Sequence, residues 1–560
     1  MAETGLNELR LGILCRGTVF QRWQAEAIRQ ALAVPGVVPV LLVTEEPVVA
    51  MKRSRTWRHW DTALYRWYRR RFAPPAMQEV DLHDLLGALP CVKVRPEQQG
   101  IRESFTKDQC AAIAGHRPDV LLRFGFNILT GGILSLPRFG VWSFHHGDPA
   151  HYRGGPPGLW EIVDGEPVTG AVLQRLTEDL DQGRILRQGW FATVDHSHAE
   201  TVETVLMHSA IWPAQVMRTL LAGDTTASDG VPPAGRGKLT RYPGTASLLR
   251  FLWSMAGNKL RFHRRDLREH EEWNIGVLNR PITDLLADDP PLNVRWLPPP
   301  AQGTFRADPF GYVDEQGRLN MLYEKFDHAT GKGEIARLRP KQDNVIKRSR
   351  TMLAGDTHFS YPYVVKHEGV IWVVPENAAS GRVDLYRVNE TNDGLDLVGT
   401  LLNEALCDPT IFQHDGRWWL FGTKAPLTNV ALYAYWSDHF EGPYHPHLFQ
   451  PVKMDIRSAR PAGTPFLHGK EMWRPSQDSS LTYGGRIAFN RVVELDPMRF
   501  REETLYHLGP LKGSAYGAGL HTLCAMDGIT LLDGKRFTRV PQRAKAARDR
   551  KLGKLKRRRK

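Results

Sequence analysis

The fold of the first half of the chain is decided by residues 8–45. They read "ELRLGILC" (8–15), "RWQAEAIRQALAV" (22–34) and "VVPVLLVTE" (37–45). Two short runs of Val, Leu and Ile flank a segment whose apolar residues recur at helical spacing. Strand, helix, strand in that order is a βαβ unit, and βαβ units build parallel sheets. The pattern continues in "DVLLRFGF" (119–126) and "GVWSFHH" (140–146). The predicted class of this half is α/β, doubly wound and Rossmann-like. Sheets of that kind place their chemistry in loops at the carboxyl ends of strands.

At 560 residues the chain exceeds a single core, so a multidomain protein is expected. Composition shifts at 222–245, "AGDTTASDGVPPAGRGKLTRYPGT", toward the Gly, Pro, Ser and Thr of a connection. An amphipathic stretch, "SLLRFLWSMAGNKLRFHRR" (247–265), follows. Beyond about residue 300 the helical periods stop and five segments align. They are "ADPFGYVDEQGRLNMLYE" (307–324), "SYPYVVKHEGVIWVVPE" (360–376), "CDPTIFQHDGRWWLFGT" (407–423), "GTPFLHGKEMWRPSQD" (463–478) and "GLHTLCAMDGITLLDG" (519–534). Each sets a polar or small residue before Pro or His, then a β run, in most cases a Gly turn, and a second β run. Starts roughly 45–60 residues apart match the period of a propeller blade, so an all-β five-bladed propeller is predicted. The expected organisation is a catalytic domain over 8–222, a linker and helical segment over 223–295, the propeller over 296–540, and a basic tail over 541–560.

No run of some 18 apolar residues exists, and the first residues lack a signal-peptide pattern, so a cytoplasmic location is expected. Five cysteines without CxxC spacing (Cys15, Cys91, Cys110, Cys407, Cys524) read as buried free thiols rather than a disulfide framework or a metal site. The last twenty residues hold eleven Lys/Arg and one Asp, and so carry most of the net charge of +13. That tail reads either as solvated and disordered or as a contact for an anionic membrane surface or RNA. The basic, aromatic stretch 52–72, "KRSRTWRHWDTALYRWYRRRF", offers the same two kinds of reading: a helix on a membrane surface or acidic ligand, or one packed on the core.

The segment 141–157, "VWSFHHGDPAHYRGGPP", concentrates ionisable residues, Gly and Pro just after a predicted strand. Asp181, 36 residues after His145, returns by a helix and a strand and can pair with that histidine as a proton-transfer couple. With their surroundings, "ILTGGILSLPRFGVWSFHHG" and "YRGGPPGLWEIVDGEPVTGAVLQRLTEDLDQGRIL", residues 118–186 resemble the catalytic domain of formyltetrahydrofolate-dependent formyltransferases. The resemblance implies 10-formyltetrahydrofolate as co-substrate. It places the family's catalytic His on His145 and its Asp on Asp181. The family's Asn falls on Ser143, a departure that removes one expected oxyanion donor. Phe126, Ile128 and Leu129 fall on the loop that packs against the pterin ring. His146 and Arg153 are candidate acceptor-binding residues.

The predicted propeller carries acids at segment starts and ends: Asp308, Glu324, Glu376, Asp408 and Asp478. Three of them can form a glycosidase-like acid, base and modulator around a central channel, while Asp308 and Asp408, each before a Pro, read equally as stabilisers of the repeated turn. "FRADPF", "HFSYPYV", "VPEN" and "RPSQDSSLTYGGRI" resemble the domain preceding the glycosyltransferase portion of glucosamine inositolphosphorylceramide transferases. That implies a propeller in a sugar-related context. The combined expectation is an N-formyltransferase acting on an amine of an amino sugar, glycolipid or nucleotide-sugar precursor, with a propeller that handles a glycan. The alternatives are a propeller-borne glycoside hydrolase or glycan-binding protein with an impaired first domain, and a methionyl-tRNA formyltransferase-like enzyme.

Overall fold

The computed structural model describes residues 6–46, 61–178, 183–287, 290, 292–339, 349–389, 391, 393–526 and 528–539, without the side chains of 266 and 267. The chain divides into two compact units, residues 1–260 and 261–560.

The first unit is built on a seven-stranded sheet. Its order is Arg184–Ala192, Val168–Arg175, Val141–His145, Val120–Arg123, Leu9–Cys15, Val37–Glu45 and Cys91–Val94. The last five strands are parallel and the first two antiparallel. The predicted βαβ unit is present, with helix Arg22–Leu32 turning Ala25, Ala27, Ile28 and Ala31 inward. From Leu9–Cys15 the chain builds outward on one side and then returns to add Val120–Arg123 and Val141–His145 on the other. That reversal makes a switch point, where a crevice opens at the carboxyl ends of the strands. His145 is the last residue of its strand and Arg123 the last of the adjacent one.

The predicted connection does more than link. Lys238–Thr240 runs parallel to Tyr152–Gly154, pinning the loop that follows His145. In the stretch 52–72, helix Ala63–Arg71 buries Tyr65 and Tyr68 against Leu248 and Phe251 and leaves Trp67 58% exposed. Its core-packing face therefore accounts for the two tyrosines.

The second unit has five antiparallel sheets of four or five strands, the blades of a propeller. The first four follow in chain order: 304–353, 360–402, 407–454 and 466–508. The fifth joins Leu523–Met526 and Ile529–Thr538 to a strand from far upstream, His270–Leu278, which pairs with Ile529–Thr538 along nine residues. The sequence reading put 270–278 in the linker; it is a propeller strand. The closing ladder ties the two ends of the propeller sequence together and leaves Ile529–Thr538 no open edge.

All five cysteines are free. Cys15, Cys407 and Cys524 are buried, but Cys110 is half-buried and Cys91 exposed, which corrects the expectation that all would be buried. Among the described residues no helix is long and apolar enough to cross a membrane. The tail 541–560 lies outside the described residues.

Candidate functional site

Alternation along Val141–His145 turns Val141, Ser143 and His145 to one face and Phe144 and His146 to the other. The second face is aromatic. His146 lies edge-on to Trp23 at 4.9 Å, stacks on Phe144 at 5.7 Å and shares a hydrogen bond with Ser209 Oγ. Burial, and then the neighbouring His145, push its pKa from 6.5 down to about 3. The reading of His146 as an acceptor-binding residue does not survive this placement.

On the first face His145 Nε2 sits 3.0 Å from the carbonyl oxygen of Tyr152. A carbonyl only accepts, so Nε2 carries the proton and Nδ1 is the second ring position. The loop between them is wound tightly around Asp148. Its carbonyl accepts from the backbone N–H of His151 and Tyr152, and its carboxylate from the N–H of Ala150 and the Trp190 indole. Gly147 lets the loop pass the ring, because a Cβ there would lie 2.9 Å from His145 Nε2. Tyr152 in turn donates its hydroxyl to Asp164, which also pairs with Lys238. Arg153 donates from Nε to the Gly237 carbonyl, so it helps hold the 238–240 segment in place. Asp181 lies outside the described residues.

Ser143 is 3% exposed and accepts a hydrogen bond of 2.7 Å from Nη1 of Arg123. The two residues are register partners in the sheet, so their side chains share a face. Arg123 also donates from Nη2 to the carbonyls of Phe126 (3.1 Å) and Asn127 (2.6 Å). Sequence reading missed this arginine, although an arginine inside the apolar run "DVLLRF" was a visible signal.

Of the three residues expected against a pterin ring, Phe126 and Leu129 are buried in the hydrophobic core, Phe126 edge-on to Phe105. Ile128 alone is partly exposed, and its N–H is bonded to Ile101. The loop backbone is further fixed by Glu103, which accepts from the N–H and the side-chain amide of Asn127. The first two therefore support the loop from beneath. What fits a formyl donor here is the polar set: Ser143, Arg123 and His145 gather at one strand edge and suit an oxygen that acquires negative charge.

In the second unit the first three blades open on Asp308-Pro309, Tyr361-Pro362 and Asp408-Pro409. Each pair is bulged out of its ladder. The leading residues have φ of 52°, 44° and 50°, a left-handed conformation costing a non-glycine residue of order 1–3 kcal/mol. Bulges of this kind re-aim a side chain, and here they gather Asp308, Tyr361 and Asp408 in the interior. Glu324 and Glu376 sit opposite the residues just before two of these bulges.

The gathered acids have partners the sequence did not announce. Arg460 forks onto Asp408 at 2.6 and 3.1 Å, and Gln477 donates to the same carboxylate at 2.8 Å. Thr522 donates to Asp308 at 2.6 Å, and His521 lies 2.6 Å from Asp533. Burial and the crowding of like charge raise Glu376 to about 8, Asp308 to about 6 and Glu324 well above its ordinary range. His521 is raised against the opposing effect of burial by Asp533 and Asp308. Asp308, His521 and Asp533 bring donor atoms within 4.8 Å of one another, a spacing a metal ion can bridge, but the ion pair and hydrogen bonds just named already engage them.

Asp478, expected among these acids, is elsewhere: it pairs with Arg486 at 2.7 Å. The inward position on that strand belongs to its neighbour Gln477, because successive side chains alternate faces. Asp408, whose two oxygens are both held by Arg460, is placed as an ion-pair partner rather than as a free base.

Residues 299–519 match the family model described as the N-terminal part of glucosamine inositolphosphorylceramide transferase 1. The enzyme of that name from Oryza sativa subsp. japonica is 29% identical over 205 residues, 35% of this chain and 27% of the relative. Methionyl-tRNA formyltransferase from Parabacteroides distasonis is 31% identical over 112 residues, 20% of this chain and 35% of the relative. The chain is thus similar to two different kinds of transferase, the formyltransferases over its N-terminal region. It spans about a quarter of the first relative's length and about a third of the second's. Among solved structures, glycinamide ribonucleotide transformylase 1 from Symbiobacterium toebii aligns with a TM-score of 0.27 and 15% identity, covering 39% of this chain and 89% of that one.

Proposed function

We propose that the first unit transfers a formyl group from a formyltetrahydrofolate to an amine, and that the amine belongs to an amino sugar or an amino-sugar precursor. The observation that carries the reading is His145 at the carboxyl end of an interior strand of the sheet, with the buried Ser143 two residues earlier on the same face.

The chemistry asks for two things at that edge. As the amine attacks the formyl carbon, negative charge grows on the formyl oxygen and needs hydrogen-bond donors already in place. The Tyr152 carbonyl fixes the imidazole through Nε2, and as the imidazolium His145 is the positive group beside the formyl oxygen. The attacking nitrogen must also lose a proton as the new bond forms. Asp181, by its resemblance, is our candidate to take that proton through a water and to keep His145 charged. The tight turn about Asp148 and the strand pair 152–154/238–240 hold the loop against the ring, so the imidazole is positioned before substrate arrives.

The sugar class of the acceptor rests on the second unit, whose match is to the N-terminal part of a transferase named for glucosamine. Purified protein with isotopically labelled formyltetrahydrofolate should label amino sugars or nucleotide-linked amino sugars and leave methionyl-tRNA unlabelled. Labelling of methionyl-tRNA in preference would reverse the acceptor assignment.

A further inference from the structure

We infer that Arg123 and Ser143 together replace the missing asparagine amide: the guanidinium polarises the Ser143 hydroxyl, and that hydroxyl donates to the formyl oxygen as it becomes an oxyanion. This rests on the formyl-transfer reading above.

A serine hydroxyl alone is a poor substitute for an amide, because it is shorter and has one hydrogen. The structure supplies what it lacks. Ser143 Oγ accepts from Arg123 at 2.7 Å, which leaves its own hydrogen to be donated. Among the described residues, the one acceptor within reach of that hydrogen is the Phe144 carbonyl at 3.5 Å, at the limit of a hydrogen bond. A hydroxyl that accepts from a cation is a stronger donor, since hydrogen bonds in a chain polarise one another. Both groups are withdrawn from solvent, where a nearby positive charge acts on a developing negative one with little screening.

The guanidinium is not used up by holding the loop. Three of its contacts go to Ser143, Phe126 and Asn127, while its Nε, also buried, has no hydrogen-bond partner among the described residues. Burying a charged group with an unmade bond costs free energy that an apolar residue at this strand end would avoid. Glu103, which favours the charged form of Arg123 electrostatically, offsets part of that cost.

In the step itself the amine nitrogen bonds to the formyl carbon and the carbonyl π pair moves onto oxygen, where Ser143 and His145 hold it. The pair then returns, the bond from the formyl carbon to the folate nitrogen breaks, and that nitrogen takes a proton. The amine's proton leaves through a water to Asp181. No redox partner is required. Arg123 acts through Ser143 and is a positioning residue, whereas Ser143 touches the reacting oxygen.

The test uses the full-length protein and steady-state formyl transfer with Ser143→Ala, Arg123→Met, Arg123→Lys and the double variant Ser143→Ala/Arg123→Met. We expect each of the first two to lose about a hundredfold in kcat with little change in KM for either substrate. The double variant should be no worse than the single ones, because one relay is being removed twice. Arg123→Lys should recover part of the rate, as a cation alone would. Ser143→Ala leaves the loop carbonyls bonded to Arg123, so it guards against a merely structural loss. Losses that multiply, or a Ser143→Ala enzyme as fast as the parent, would overturn the relay while leaving formyl transfer standing. A parent enzyme that formylates no amine would overturn both.

Discussion

At the scale of single residues, the two adjacent histidines show how far side-chain identity alone reads. Both are ionisable and both stand in the segment that promised chemistry, yet strand alternation sends His145 to the polar edge and His146 into an aromatic nest with Trp23 and Phe144. His146 stays neutral when folded but takes up a proton once unfolded, with pKa values of about 3 and 6.5. The sign follows directly: below pH 6.5 the unfolded state binds more protons, so stability falls as pH falls. Each pH unit in that window costs about 1.4 kcal/mol for this group. Chemical unfolding of the protein at pH 6.5 and pH 5 should show a smaller loss in His146→Phe than in the parent, by about 2 kcal/mol. Equal losses would mean that His146 is not held neutral. Arg123 belongs to the same scale. Its place in an apolar strand was readable from sequence, but its partner Ser143 was not, because twenty residues separate them and only sheet register brings them together.

At the scale of elements, the loop after His145 and the bulges that open the blades do comparable work: each bends backbone to aim a side chain. The strands themselves were legible, since the βαβ spacing and the five repeated segments declare themselves in hydrophobic period. Parity was not. Asp478 was read as an inward acid although Gln477 holds that position, and a displacement of one residue flips the face. At the catalytic loop, Gly147→Ala puts a methyl 2.9 Å from His145 Nε2. The ring must then leave the Tyr152 carbonyl, and misplacement on this scale costs about a hundredfold in rate. We expect kcat to drop by that order while the thermal midpoint stays within a few degrees of the parent; an unchanged kcat would mean that the loop does not position the ring.

At the scale of the molecule, closure of the propeller was the feature that sequence concealed. His270–Leu278 begins with charged residues and meets its partner strand only some 250 residues later, so no local pattern marks it as part of a blade. A fragment of residues 296–540 lacks that strand and leaves Ile529–Thr538 as an open edge, whereas 261–540 retains the nine-residue ladder. The longer fragment should unfold cooperatively on heating. The shorter one should aggregate or melt without a clear transition, and equal behaviour would remove the strand's structural role.

The most direct test of the account is the rate of formyl transfer from formyltetrahydrofolate to an amino-sugar acceptor, measured for the parent and for His145→Ala in protein of equal thermal midpoint. A labelled formamide product is expected, its rate of formation falling by about a hundred- to ten-thousandfold in the variant. A product formed equally fast by both proteins would contradict it.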